Sequence, residues 1–379
     1  MTLQEAFLQV KDHRRGPAQK YDLKEMIVMA ICAVLCGCDG WVDIADWCEE
    51  EEVWLRTFLV VANGTPSHDT FGDVFRVLDA TVFEHCFRQW IASIVGVVEG
   101  VVAFDGKTVR GSKDGANTAL HMVSAYATAL GVSLGQEGSV GKGNELAAIK
   151  VLLDVLVLKG CIVTMDALGC QTEIAEKIVA QGGDYVLAVK DNQKNLSDAI
   201  VDFFDTAEAF NYRAIDVQKR TLTDKDHGRL ETRRAAFVAD VSWMDTPMRE
   251  GWKKLSGVGM IESTQEIKGK VSVERRYFIV SAGVKTVEQF ANAARAHWGV
   301  EAMHWVLDVI FREDDCRVRK GHSARNLSAI RKFALSALRN DTLHPERSLR
   351  RRRKLANHRP DYRATLLGLT TRRRLNSLS

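Results

Sequence analysis

Two aspartates end apolar runs. Val101-Val102-Ala103-Phe104 leads into Asp105, and Cys161-Ile162-Val163-Thr164-Met165 leads into Asp166. Each run reads as a short buried strand, so each carboxylate sits at a strand end, where it lines a cleft better than it packs a core. An aspartate there also caps turns, and either residue taken alone supports that reading as well. The pair says more, because two strands of one sheet bring their ends together. A third acid is expected from the helix running from Thr286 to about Phe311. Val300, Met303, Leu307 and Ile310 form its apolar stripe, and His297, Glu301, His304 and Asp308 form a polar stripe beside it. Helical spacing leaves Glu301 and Asp308 as alternatives, and a solvated face of i,i+4 pairs as a further one. Three carboxylates suit two hard cations such as Mg²⁺, with Mn²⁺ as a substitute. Two such ions activate an attacking oxygen and stabilise a leaving one during phosphoryl transfer.

The elements that must position these acids divide the chain. Residues 1–98 read as an all-α module. Leu3, Phe7 and Val10 share one helix face, Leu23 to Cys36 is a second and more apolar helix, and Asp43 to Val61 is a third. Ser67 or Asp69 caps the helix that carries Phe71, Val74, Phe75 and Leu78. From Gly100 the texture changes to three strands, a helix over Asn144 to Leu158, a strand, a helix over Thr172 to Gln181, and a strand over Tyr185 to Val189. That order predicts an α/β, ribonuclease-H-like mixed-sheet domain over residues 99–345. Ser197 to Val273 reads as irregular and polar, a β-rich insertion over about 197–273. If extended, its segment from His227 to Arg233 places His227, Arg229, Glu231 and Arg233 on one face. A last helix is expected from Ala324 to Leu338.

With 379 residues, 46% apolar and 27% charged, the chain has the make-up of a globular protein large enough for several modules. The formal charge of +3 is modest, but eleven Lys or Arg residues fall between Arg347 and Arg374 against one acid, Asp361. Residues 346–379 therefore read as a basic tail, either solvated or a phosphate-binding arm. The opposite bias appears at Glu49 to Glu52. The first residues lack an apolar leader, so the 8 cysteines are expected as reduced thiols in the cytoplasm. Cys36 and Cys38 lie in an apolar helix pattern with no second pair at zinc spacing, which argues against structural zinc. That apolar run is too short to span a membrane.

The segments FDGKTVRGS (104–112), TMDALGCQ (164–171), VKDNQ (189–193), HGRLETR (227–233) and HWGVEAMHWVLDVIFRED (297–314) closely resemble the DDE transposases of bacterial insertion sequences, specifically the H-repeat-associated type. The resemblance covers roughly residues 1–340. It implies that Asp105, Asp166 and Glu301 are the catalytic, metal-holding acids, and it decides for Glu301 over Asp308. It implies a ribonuclease-H-like domain interrupted by an insertion, and an amino-terminal helical module with a DNA-binding or accessory role. The implied activity is metal-dependent cleavage of the element's ends and transfer of the freed 3′-OH into target DNA. The implied partners are double-stranded DNA, as terminal inverted repeats and target, and a second copy of the chain as a homodimer on DNA, associated with the nucleoid when bound. Lys107, Arg110 and Lys190 near the acids, His227, Arg229 and Arg233 from the insertion, and Arg295 and His297 before the glutamate are the expected DNA contacts. Trp298 reads as core. Ala302 replaces the subgroup's usual Asn after the glutamate, which keeps a second reading open: a non-catalytic, transposase-derived DNA-binding protein.

Overall fold

The computed structural model describes residues 2–115, 118–140, 142–213, 215–226, 229–267 and 270–369. The amino-terminal helices are α1 (Leu3–Ala6), α2 (Leu23–Cys36), α3 (Trp41–Glu50), α4 (Glu52–Leu55), α5 (His68–Val77) and α6 (Ala80–Val95). Asp22 starts α2 by accepting from the Lys24 and Glu25 N–H groups, and Gly37, at φ 123°, ends it. Every residue of α2 from Met26 to Cys36 is buried, as an all-round apolar helix must be. Ser67 is the cap of α5, accepting from Thr70 N–H, and Asp79 caps α6.

The rest of the chain builds one large sheet and the helices that cover it. Its elements are β1 (Gly100–Thr108), β2 (Leu120–Ala127), β3 (Val132–Val140), α7 (Glu145–Val155), β4 (Cys161–Met165), α8 (Thr172–Ala180), β5 (Asp184–Val189), α9 (Lys194–Ala209), β6 (Val217–Asp226) and β7 (Arg229–Val238). There follow α10 (Thr246–Glu250), β8 (Leu255–Ile267), β9 (Lys270–Ser281), α11 (Val287–Ala296), α12 (Trp298–Val309), α13 (Ser323–Arg339), α14 (Leu349–His358) and α15 (Pro360–Leu366). The strand order is β3-β2-β1-β4-β5-β9-β8-β7-β6. Strands β1 to β3 form an antiparallel meander, β1, β4 and β5 run parallel, and β9 joins β5 antiparallel. The expected polar strands between 197 and 273 therefore extend the same sheet through β9.

Three expectations need correction. The stretch after Ser197 opens with α9, whose buried Leu196, Ile200, Phe204 and Ala207 recur at helical spacing. The single helix expected after Thr286 is two, α11 and α12, meeting at His297. There the backbone stays helical and Val300 N–H bonds to the His297 carbonyl three residues back. The basic segment after Arg347 folds as α14 and α15, covered below. His227 lies outside the described residues, as does the side chain of Arg229.

Helix α13 joins the two halves. It packs on α2, α5 and α6 on one side and on β2 and β3 on the other. Two of its buried polar side chains tie it to the amino-terminal helices: Asn326 donates to the Phe75 and Leu78 carbonyls, and Arg331 to the Asp39 carbonyl. Helix α14 then returns to α2. Arg353, buried, donates to the Val34 carbonyl at 3.0 Å and to Asp39 Oδ1 at 2.9 Å, while Arg352 donates to the Leu338 carbonyl. Arg363 from α15 pairs with Glu51. The physical reason is partner supply: the Val34 carbonyl near the end of α2, which accepts a second bond beside that from Gly37 N–H, and Glu51 in the acidic run at Glu49 to Glu52 let these arginines leave water. No single helix among the described residues is long and apolar enough to cross a membrane.

Candidate active site

Register puts the two aspartates side by side. Strand β1 pairs parallel with β4 through Ala103 and Thr164, so Asp105 and Asp166 stand two residues further along neighbouring strands. Both follow buried runs, Val102 to Phe104 and Val163 to Met165. Asp166 accepts from Leu168 N–H at 3.1 Å and starts a short turn over Ala167–Gly169. Asn192 steadies this turn by donating to the Ala167 carbonyl, and Gln193 donates to that of Cys170.

Helix α12 packs on β1 and β2 and supplies the third acid. Glu301 opens onto a cavity of about 380 Å³ whose lining includes Asp166, Lys190, His297 and Trp298. His304, one turn beyond Glu301, places Nδ1 3.3 Å from Asp105 Oδ2. His297 is the common neighbour of the triad. Burial pushes its imidazole down from the ordinary value, while Asp105, Glu301 and Asp166 all pull the other way. Its Nδ1 lies 3.1 Å from Thr164 Oγ1. His297, expected as a DNA contact, is thus a half-buried group beside the acids, bonded to the strand that leads into Asp166.

The expected cations separate into groups. Lys190 is exposed on the cavity rim. Lys107 is turned away from it and caged by Asp308 at 2.5 Å, Glu313 at 2.7 Å and Asp314 at 3.3 Å. Burial would lower its pKa, but Glu313 and Asp308 outweigh that and hold it above the ordinary lysine value. A lysine so neutralised has little charge to offer a phosphate. Arg110 is exposed, with its guanidinium 3.6 Å from Asp314. Arg233 and Arg295 lie on another side, where they and Arg276 surround the Trp298 ring at 5.4, 5.4 and 5.5 Å. Trp298 is only partly buried and borders a second, smaller cavity with these arginines and Arg220, so it is not a core residue.

The profile described as Transposase DDE domain matches residues 70–337, and that described as DDE_Tnp_1-associated matches residues 4–91. The chain belongs to the DDE transposase family. It is 37% identical over 366 residues to "H repeat-associated putative transposase YhhI" of Escherichia coli K12, covering 94% of this chain and 95% of that protein. It is 38% identical over 338 residues to "Putative transposase YncI" of Escherichia coli O157:H7, covering 87% and 85%. These relatives place the transposase with the H-repeat-associated type that its motifs resemble. The cryo-EM structure titled piggyBac transposase synaptic complex with hairpin DNA superposes with a TM-score of 0.42 at 11% identity, covering 98% of this chain and 77% of that one, too distant to carry an assignment.

Two features of the transposase's site were not foreseen from sequence. Nothing in the sequence around Arg276 marks it as a partner of Trp298. Glu145 was read only as part of a helix, and its partner His121 belongs to a different strand. As to metal, the donor set is chemically suited to Mg²⁺: Asp105, Asp166 and Glu301 offer carboxylate oxygens only. Among the described residues no three Asp, Glu, His or Cys side chains converge as a ready cage.

Proposed function

We propose that this transposase cuts DNA at the ends of an insertion sequence and joins the freed 3′-OH to target DNA, with Asp105, Asp166 and Glu301 as its catalytic acids. The observation that carries the reading is the placement of Asp105 on β1 beside Asp166, which follows the neighbouring parallel strand, with Glu301 opening on the same cavity as Asp166 and His304 of the same helix reaching Asp105. The five strands β3-β2-β1-β4-β5, three antiparallel and then two parallel, support a ribonuclease-H-like core.

The three carboxylates would hold Mg²⁺, or Mn²⁺ in its place, which when bound supplies charge neutralisation and a more acidic attacking oxygen. His304 orients Asp105, and Thr164 and His297 brace the floor beneath the acids. Lys190 on the rim and Arg295 beside Trp298 provide positive charge for the phosphates of terminal repeats and target, while Arg233 is already paired with Glu231. A pair of ends requires two such sites, so the working form on DNA is a homodimer. The acting location is the cytoplasm, on nucleoid DNA.

The test is strand cleavage of a duplex carrying the element's terminal repeats, with Mg²⁺. Asp105→Asn, Asp166→Asn and Glu301→Gln should each abolish cleavage while leaving DNA binding in place. Retained cleavage in all three would sink the assignment. A second reading, a DNA-binding descendant without catalysis, is favoured by Ala302 after Glu301; it requires the parent protein to bind repeats and cut nothing.

A further inference from the structure

Glu145 opens α7 and lies back over β1. Its Oε1 fills the space that a side chain at Gly106 would need: an ideal Cβ there would be 2.3 Å from Oε1 and 2.4 Å from His121 Nε2. The carboxylate is therefore pressed against the backbone immediately after Asp105. Only glycine permits so close an approach at this position.

His121, from β2, fixes the carboxylate in place. Its Nε2 lies 3.0 Å from Glu145 Oε2, and its Nδ1 lies 3.1 Å from Thr108 Oγ1 on β1. Both ring nitrogens are thus engaged, one with Thr108 on β1 and the other with Glu145. Three elements thus converge to orient one carboxylate. The His121 and Glu145 side chains are only 4% and 12% exposed. Burial raises the Glu145 pKa; His121 opposes this, and Asp166 and Asp105 raise it further. Negative charge in so dry a place, beside two more acids, is unfavourable unless a cation shares it. A first-turn acid suits the start of α7, but that role needs no burial against the strand of Asp105.

We propose that Glu145 is a fourth metal-holding carboxylate of the active site, facing the divalent ion beside Asp105, and that His121 is its positioning residue. This inference rests on the reading of Asp105, Asp166 and Glu301 as metal-holding acids.

The test is Mn²⁺ binding to the full-length protein without DNA, measured by calorimetry, together with the Mg²⁺ concentration that half-saturates cleavage. Glu145→Gln keeps the shape and the His121 contact. It should weaken Mn²⁺ binding ~10-fold or more and raise the half-saturating Mg²⁺ in parallel, with DNA affinity unchanged. His121→Gln should move both quantities in the same direction by a smaller factor. Unchanged Mn²⁺ binding in Glu145→Gln, with binding lost in Asp105→Asn, would overturn this inference and leave the triad standing. Binding and cleavage retained in Asp105→Asn would instead remove the triad reading itself. If Glu145→Gln does not fold, Glu145→Asp decides the matter: it keeps the charge but withdraws it by one methylene, and unchanged Mn²⁺ affinity there overturns the proposal.

Discussion

Lys107 Nζ lies 2.7 Å from Glu313 Oε2, and this lysine stands two residues beyond Asp105 on the same strand. The same ammonium reaches Asp308, two turns beyond Glu301 on α12. One buried cation thereby ties the strand of the first acid to the helix of the third.

Lys107→Met should lower unfolding free energy by about 3–5 kcal/mol in urea titrations, because it strands buried carboxylates without their cation. Acid should act through the same cluster. Burial pushes the Glu313 carboxyl up, but Lys107, Lys332 and Arg331 overcome it and hold it at about 2. A depressed carboxyl stabilises the fold fully above its unfolded value, and that stabilisation drains away as pH falls from about 4.5 through about 2. Glu313→Gln should flatten that part of the stability curve; an unaltered curve would separate Glu313 from acid unfolding.

Gly111 lies where the strand of Asp105 turns away. A Cβ there would be 2.1 Å from the Cys316 carbonyl oxygen and 2.8 Å from that of Asp314. Both obstacles are backbone, so Gly111→Ala must shift the loop that presents Asp314 to Lys107 and Arg110. The expected loss is about 1–3 kcal/mol by thermal unfolding. Gly106→Ala should cost less, since it meets only side-chain atoms of Glu145 and His121, and parting that pair moves no backbone. The reverse ranking would show that the 314–316 loop yields freely.

The arginines around Trp298 should appear in salt dependence. Arg295→Ala should reduce the slope of log affinity against log salt by about 1, and weaken terminal-repeat and random DNA alike. A slope equal to that of the parent protein would place DNA elsewhere.

How much of this was legible depended on the range of the interactions. Asp105 and Asp166 were legible because a buried strand announces itself as an apolar run, and both runs stop at the acid. Glu301 required more, since Asp308 shares its stripe; the structure gives Asp308 to Lys107, a partner on a distant strand that periodicity does not reveal. Helix α9 was missed although Leu196, Ile200 and Phe204 keep helical spacing, because polar residues between them masked the stripe. The break at His297 has no proline to mark it, and Gly299 lies inside the first turn of the next helix. Its cause is tertiary: the imidazole reaches Thr164 on β4. Glu145 had no local sign at all, since its meaning comes from Gly106 and His121, contacts made only once the sheet exists.

The carboxy-terminal arginines divide by burial, and variants should separate them. Arg353→Ala removes donors to Val34 and Asp39 and should cost about 2–4 kcal/mol by thermal unfolding. Arg350→Ala and Arg351→Ala, both exposed, should each stay within about 0.5 kcal/mol of the parent protein. Equal effects at all three positions would contradict the packing of α14 on α2.

That packing sets an order of events during synthesis. Helix α2 leaves the ribosome early, with apolar side chains on every face, yet two of the helices that cover it, α13 and α14, are among the last made. At about 5–20 residues per second, roughly 15 to 60 s pass before its final cover arrives. Through that interval the nascent chain carries an unshielded greasy rod. A ribosome that stalls before residue 349 releases a product suited to chaperones and proteases rather than to DNA.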